Sequence, residues 1–262
     1  MSAQGRPVIR TPQQAARLAL ACLDLTSLND ADGESDIVRL AERAAAAPGR
    51  VAALCVWPRL ARIARANAPP GVAVAAVANF PDGSLHLERA LRDTGEIVAA
   101  GAQEVDLVLP WRALLAGEDQ ACAALLRAVR RAAEGLRLKL ILETGELKAP
   151  AWIARASRLA LAEGADFLKT STGRTAVGAT PEAARTMLES IAADAGAATR
   201  VGFKASGGVR SVADAALYLD LVEAALGASA LNPQRFRIGA SALLADIEAV
   251  LAARAPGASS GY

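Results

Sequence analysis

Apolar runs of strand length alternate with Ala-rich amphipathic stretches of helix length along this chain. The runs are 21–25 (ACLDL), 51–57 (VAALCVW), 72–78 (VAVAAVA), 104–109 (EVDLVL), 138–143 (LKLILE), 165–169 (ADFLK), 200–205 (RVGFKA) and 236–239 (FRIG). Between and after them the 3.6-residue period predicts helices at 34–47, 58–67, 85–100, 118–134, 150–163, 180–194, 211–225 and about 241–253. A further helix near 12–20 leads into the first strand. Strands that are apolar on both faces belong to parallel sheets covered by helices. Strict β-then-α alternation gives a doubly wound sheet or a closed (β/α)8 barrel. Eight units in about 240 residues favour the α/β, (β/α)8 TIM barrel with an additional N-terminal helix. No GxGxxG follows the first strand, which disfavours a dinucleotide fold. No composition shift marks a linker, so residues 1–262 read as one domain, and 254–262 (RAPGASSGY) as a flexible tail.

Composition sharpens this picture. Hydrophobic residues are 53% of the chain and aromatics only 3%, so the core must be built from Ala, Val, Leu and Ile. A net charge of +2 gives no reason to expect a nucleic-acid surface. Cys22, Cys55 and Cys122 are far apart without CxxC spacing, which points to a reducing compartment rather than a disulfide framework. His86 is the only histidine. That excludes multi-histidine zinc sites, and His86 itself reads as a surface residue on the helix after FPDG. The start, MSAQGRPVIR, has no apolar run of signal-peptide type, and no run is long enough for a membrane span. The expectation is a soluble, cytoplasmic protein with no metal and no membrane or nucleic-acid partner.

In such barrels the chemistry sits at the C-terminal ends of the strands. Polar residues cluster there: Asp24, Thr26 and Ser27 after the first strand, Asn79 after the third, and Glu143 after the fifth. Lys169 ends the sixth strand, Lys204 lies near the end of the seventh, and Gly239 closes the eighth. Adjacent strands lie about 4.8 Å apart, so two inward lysines on neighbouring strands would depress each other's pKa. A neutral amine near pH 7 attacks carbonyls and forms a Schiff base. The other reading is that both lysines snorkel outward or pair with carboxylates. Asp106, inside EVDLVL, is either a structural partner for a lysine or a proton carrier beside an imine. SGGVRS after the seventh strand and GAS after the eighth suit an anion at glycine-rich loops and a helix N-terminus. Together these features suggest a small phosphorylated carbonyl substrate.

These residues carry a family resemblance. LDLTSLND (23–30), CVWP (55–58), NFPDG (79–83), GAQEVDLVLPWRALLAG (101–117), LKLILETGELK (138–148), GADFLKTSTGRTAVGATPEAAR (164–185), VGFKASGGVR (201–210) and RIGAS (237–241) cover nearly the whole chain. In this order and spacing they resemble deoxyribose-phosphate aldolases, and LDLTSLND with the terminal tyrosine resembles the enterobacterial-type branch. The resemblance implies a class I aldolase that interconverts 2-deoxy-D-ribose 5-phosphate with D-glyceraldehyde 3-phosphate and acetaldehyde, without a cofactor. It implies that Lys169 forms the Schiff base, Lys204 lowers its pKa and shares proton transfer, and Asp106 relays protons through a water. Lys139 would support the charges, and Asp24 and Thr26 would face substrate or hold water. Cys55 would lie near the site. Gly173, Arg174, Gly207, Gly208, Gly239 and Ser241 would hold the phosphate, while Thr170 and Thr172 would orient amine, substrate or water. A homo-oligomer, with a dimer favoured, follows from the resemblance alone.

Three positions bear on this pattern. Ala242 follows Ser241 where the family usually has a second serine, so one phosphate hydroxyl is missing. Arg174 stands where lysine is common and keeps the charge. Tyr262 ends the chain, and in similar enzymes a C-terminal tyrosine folds into the site. The competing functions are another Schiff-base lyase or transaldolase-like barrel with a different donor, and a non-catalytic sugar-phosphate-binding barrel.

Overall fold

A computed structural model describes residues 10–253. Eight parallel strands close into a barrel in sequence order. They are β1 (Leu23–Thr26), β2 (Ala53–Val56), β3 (Ala73–Ala78), β4 (Glu104–Val108), β5 (Arg137–Ile141), β6 (Phe167–Lys169), β7 (Gly202–Ser206) and β8 (Phe236–Ala240). The helices are α1 (Pro12–Ala21), α2 (Glu34–Ala45), α3 (Ala61–Asn67), α4 (Leu87–Ala99), α5 (Trp111–Leu115), α6 (Asp119–Ala132), α7 (Thr144–Leu147), α8 (Pro150–Ala162), α9 (Pro181–Ala193), α10 (Val212–Leu226) and α11 (Leu243–Ala252). The predicted (β/α)8 barrel with its leading helix is therefore the observed fold. Every strand lies within two residues of its expected bounds at either end. Tyr262 and the rest of the expected tail lie outside the described residues. No helix among the described residues is long and apolar enough to cross a membrane.

Local chemistry explains the helix starts. Thr11 caps α1 through a reciprocal box with Gln14, with Pro12 in the first turn. Ser211 and Asp214 form the same box at α10, and Thr180 precedes Pro181 at α9. His86 stands just before α4, exposed, and its Nδ1 accepts the Arg89 N–H at 3.2 Å. It caps the helix rather than riding on it. The short helices α5 and α7 escape a periodicity reading because each is about one turn long.

Alternation along the strands sorts the core into two parts. Leu54, Val74, Val105, Leu107, Leu138, Leu140, Leu168 and Ile238 are buried in the apolar layer between strands and helices. The opposite strand faces fill the barrel, where bulky branched residues usually dominate. Here the largest fully buried side chains include Lys139, Lys204 and Arg237. A barrel interior filled with charge needs a partner for each charge. The register sets Asp106 beside Lys139 but also Lys169 beside Lys204 and Lys204 beside Arg237, so Lys169 and Lys204 find their carboxylates on strands that are not their β6–β7 neighbours.

Candidate active site

Four cations, Lys139, Lys169, Lys204 and Arg237, meet three carboxylates, Asp24, Glu104 and Asp106, inside the barrel. At the bottom, Arg237 Nη2 donates to Glu104 Oε1 at 2.7 Å and its Nη1 to Asp24 Oδ1 at 2.6 Å. Lys139 Nζ lies 2.6 Å from both Glu104 Oε2 and Asp106 Oδ1. At the top, Lys169 Nζ and Lys204 Nζ each donate to Asp106 Oδ2 at 2.8 Å, and Lys204 also binds Asp24.

Three carboxylates cannot serve four cations equally, and the protonation preferences show which one is left over. Burial lowers the Lys169 amine below its ordinary value of 10.5; repulsion from Lys204 adds to this, and Asp106 only partly opposes it. Burial acts the same way on Lys204, but Asp106 and Asp24 together outweigh it and raise its pKa. Lys139 is raised too, by Asp106 and Glu104 against burial. Burial would lift Asp106, yet Lys139, Lys169 and Lys204 hold it well below 3.8. The arrangement thus favours a charged Lys204, an ionised Asp106 and a Lys169 that gives up its proton more readily than an ordinary lysine.

Lys169 lies at the floor of a cleft of about 340 Å³ at the C-terminal end of the barrel. Thr26, Thr172, Gly173, Arg174, Gly207, Gly208, Gly239 and Ser241 line the cleft with it, as do Ser206, Arg210 and Ala242. Gly173, Gly207 and Gly208 have φ of 79°, 84° and 90°, a region open chiefly to glycine. No acceptor among the described residues meets their N–H groups, which suits an anion. The first turn of α11 begins just after Ser241 and Ala242 and favours negative charge at the same wall. Gly239 has a second task, since a Cβ there would come within 2.9 Å of Lys204 Cε. Among the described residues no group of three or more His, Cys, Asp and Glu is placed to hold a metal ion.

The remaining expected residues fall into two groups. Asp24, Lys139 and Cys55 are fully buried beneath the cleft and do not line it. Asp24 bonds Lys204 and Arg237, so its place is in the charge network rather than on the substrate side. Cys55 Sγ is 4.0 Å from Asp106 Oδ2, and burial raises its pKa. The hydroxyls of Thr170 and Thr172 are committed elsewhere. Thr170 Oγ1 donates to the Ser206 carbonyl and accepts the Ser206 N–H, both at 3.0 Å. Thr172 Oγ1 donates to Glu143 at 2.6 Å. Arg174 donates to Leu28 O and to Asp30 Oδ1, at 2.9 Å for the latter, which ties the loop after β6 to the loop after β1. Asn79 is a turn staple, donating to the carbonyls of Ser84 and Val108.

Glu104, Arg237 and Arg210 had no place in the site as read from the sequence, and Glu143 stood there only as a polar residue after the fifth strand. Glu104 was legible, since it is two residues from Asp106 and strand alternation puts both inside. Arg237 was hidden because arginine defaults to a solvated surface.

Comparisons with known proteins agree with this geometry. The DeoC/LacD family aldolase model matches residues 18–249. The chain belongs to the DeoC/LacD aldolase family. A deoxyribose-phosphate aldolase of Agrobacterium fabrum is 45% identical over 260 residues, covering 97% of this chain and 98% of the relative. Among solved structures, a deoxyribose phosphate aldolase from Aeropyrum pernix, described as a unique tetramer, matches with TM-score 0.70 at 25% identity, covering 92% of this chain and 93% of the other. An apo-form structure from Toxoplasma gondii ME49 has the same fold, with TM-score 0.83 at 24% identity over 92% of this chain and 97% of the other.

Proposed function

We propose that this aldolase works through a Schiff base on Lys169 and reversibly cleaves 2-deoxy-D-ribose 5-phosphate to D-glyceraldehyde 3-phosphate and acetaldehyde. The observation that carries the reading is the placement of Lys169. Its amine shares one Asp106 oxygen with Lys204 and opens into a cleft walled by glycine-rich loops. The 45% identical relative from Agrobacterium fabrum supports the substrate.

In this reading the Lys169 amine adds to the C1 aldehyde of the open-chain sugar, and the carbinolamine loses water to an iminium. Loss of the C3 hydroxyl proton breaks the C2–C3 bond. The electron pair passes into the iminium as an enamine, and glyceraldehyde 3-phosphate departs. Protonation at C2 and hydrolysis then release acetaldehyde and restore the amine. Asp106, bonded to both ammonium groups, takes and returns protons through a water, with Lys204 as its charged partner. Gly173, Gly207, Gly208, Gly239, Ser241 and Arg174 hold the phosphate, and Thr26 borders the sugar. The proposed setting is the cytoplasm, supported by the three unpaired cysteines Cys22, Cys55 and Cys122. A homo-oligomer is proposed as well; the tetrameric Aeropyrum pernix relative supports assembly, and sedimentation would read its order.

The deciding experiment is borohydride reduction with acetaldehyde, followed by peptide mapping. A two-carbon adduct on Lys169 is expected, and intact trapping in Lys169→Ala would overturn the assignment. Dihydroxyacetone phosphate in place of acetaldehyde tests for a transaldolase-like donor and should give no product. Phosphate-dependent thermal stabilisation without aldehyde turnover would mark a non-catalytic barrel.

A further inference from the structure

The carboxylate of Glu143 has no part in the scheme above, yet it is fully buried and sits on strained backbone. Its φ and ψ are 57° and 59°, the left-handed region that a side chain with a Cβ rarely adopts. The position is held between two paired points of the sheet. The Leu142 N–H donates to Lys169 O, and the Thr144 N–H to Thr170 O, both at 2.9 Å. The twist at Glu143 turns its side chain toward the segment after Lys169. There it accepts the Thr172 hydroxyl at 2.6 Å, the Thr172 N–H at 3.3 and 3.4 Å, and the Thr175 hydroxyl at 3.3 Å. Thr172 Oγ1 in turn accepts the Arg174 N–H at 3.0 Å.

One carboxylate therefore fixes the backbone on both sides of Gly173, which lines the cleft between Thr172 and Arg174. No cation forms an ion pair with Glu143 among the described residues, and burial raises its pKa. A buried, unpaired carboxylate on strained backbone is a costly way to fill space. Its hydrogen bonds end on the loop that faces the anion wall, not on Lys169 or Asp106.

We propose that Glu143 is a positioning residue that sets the preference for phosphorylated over unphosphorylated substrate, by holding Thr172, Gly173 and Arg174 in anion-binding register. The proposal rests on the Schiff-base reading above. It predicts a division of labour: Glu143 governs recognition of the phosphate end, while imine formation at Lys169 goes on without it.

The test is Glu143→Gln, which keeps size and one acceptor but loses the charge. KM for 2-deoxy-D-ribose 5-phosphate should rise about tenfold or more, the scale of a lost charge-assisted hydrogen bond. KM for unphosphorylated 2-deoxy-D-ribose and borohydride trapping with acetaldehyde should hold within about twofold. Thr172→Val removes the hydroxyl that links Glu143 to the Arg174 N–H, and it should show the same selective loss. Thr172→Ser should restore it. If Glu143→Gln does not fold, the two Thr172 variants carry the test. Equal losses on both substrates would overturn the proposal, as would a fall in KM for the phosphorylated sugar, which would mean that the carboxylate repels the phosphate more than it orders the loop. Failure of the underlying reading would look different, because the unaltered protein would then give no trapped adduct at Lys169.

Discussion

Lys169 and Lys204 are direct register partners on neighbouring strands, and both ammonium groups meet the same oxygen, Asp106 Oδ2, each at 2.8 Å. Lys204 has a second carboxylate in Asp24; Lys169 has none. This difference divides the pair into a charged partner and an ionisable nucleophile.

Lys204→Met removes the repulsion that helps to lower the Lys169 pKa and leaves Asp106 more fully committed to Lys169 and Lys139. Both changes favour the protonated amine. Neutral Lys169 is the attacking form, so its fraction grows as pH rises through its pKa. The rising limb of kcat/KM should therefore move to higher pH. Turnover near neutrality should fall by about a hundredfold or more, on the scale of lost acid–base assistance. A pH profile of kcat/KM and of borohydride trapping checks both.

Asp106→Asn leaves Lys139, Lys169 and Lys204 without the one carboxylate that all three share. Removing one partner from a buried charge cluster costs about 3–5 kcal/mol. A clear fall in Tm is expected together with loss of cleavage activity. Denaturant unfolding measures the first, and retention of wild-type stability would contradict a shared anchoring role.

The same carboxylates predict acid sensitivity. Burial opposes ionisation of Asp24, Glu104 and Asp106, but their cationic neighbours win and place all three below their ordinary values of 3.8, 4.5 and 3.8. A depressed carboxylate contributes stability that is complete above its unfolded value and is lost as pH falls through its folded value. Unfolding free energy should therefore drop steeply below about pH 4, and the slope should be shallower in Asp106→Asn. Urea unfolding across pH 3–7 reads the slopes.

The barrel was legible because eight apolar runs alternate strictly with helix-length stretches, and the lysine pair because both lysines stand near strand ends. LKLILE, ADFLK and RVGFKA are apolar runs broken by lysine, which is uncommon unless the lysine faces a paired interior. The loop at Glu143 was not legible, because a left-handed conformation at glutamate has no residue signature. Thr170 and Thr172 looked like substrate ligands because hydroxyls beside a nucleophile suit that role. Instead the chain uses them to satisfy the Ser206 backbone and Glu143, a long-range partnership that spacing does not reveal. Asp24 was expected after the first strand but lies within β1, one layer too deep to face substrate, where Arg237 and Lys204 bind it.

Gly239 joins the anion wall to the proton-transfer machinery and gives the sharpest steric test. A Cβ at this position would meet Lys204 Cε at 2.9 Å and Ser206 Cβ and Oγ at 3.2 and 3.3 Å. Lys204 is pinned at its far end by Asp24 and Asp106, so its stem cannot yield without loosening one of them. Gly239→Ala should displace the Lys204 ammonium, weaken its hold on Asp106 and lower kcat by about tenfold or more, since small misplacements of catalytic groups are expensive. The fold should survive, because the strain falls on the side chains of Lys204 and Ser206 rather than on strand pairing, and Gly239 does not have positive φ. Steady-state kinetics together with a Tm measurement decide the matter. An unchanged kcat would mean that Lys204 has slack the geometry does not show, and a collapse of Tm with proportionate activity loss would place the glycine's importance in packing.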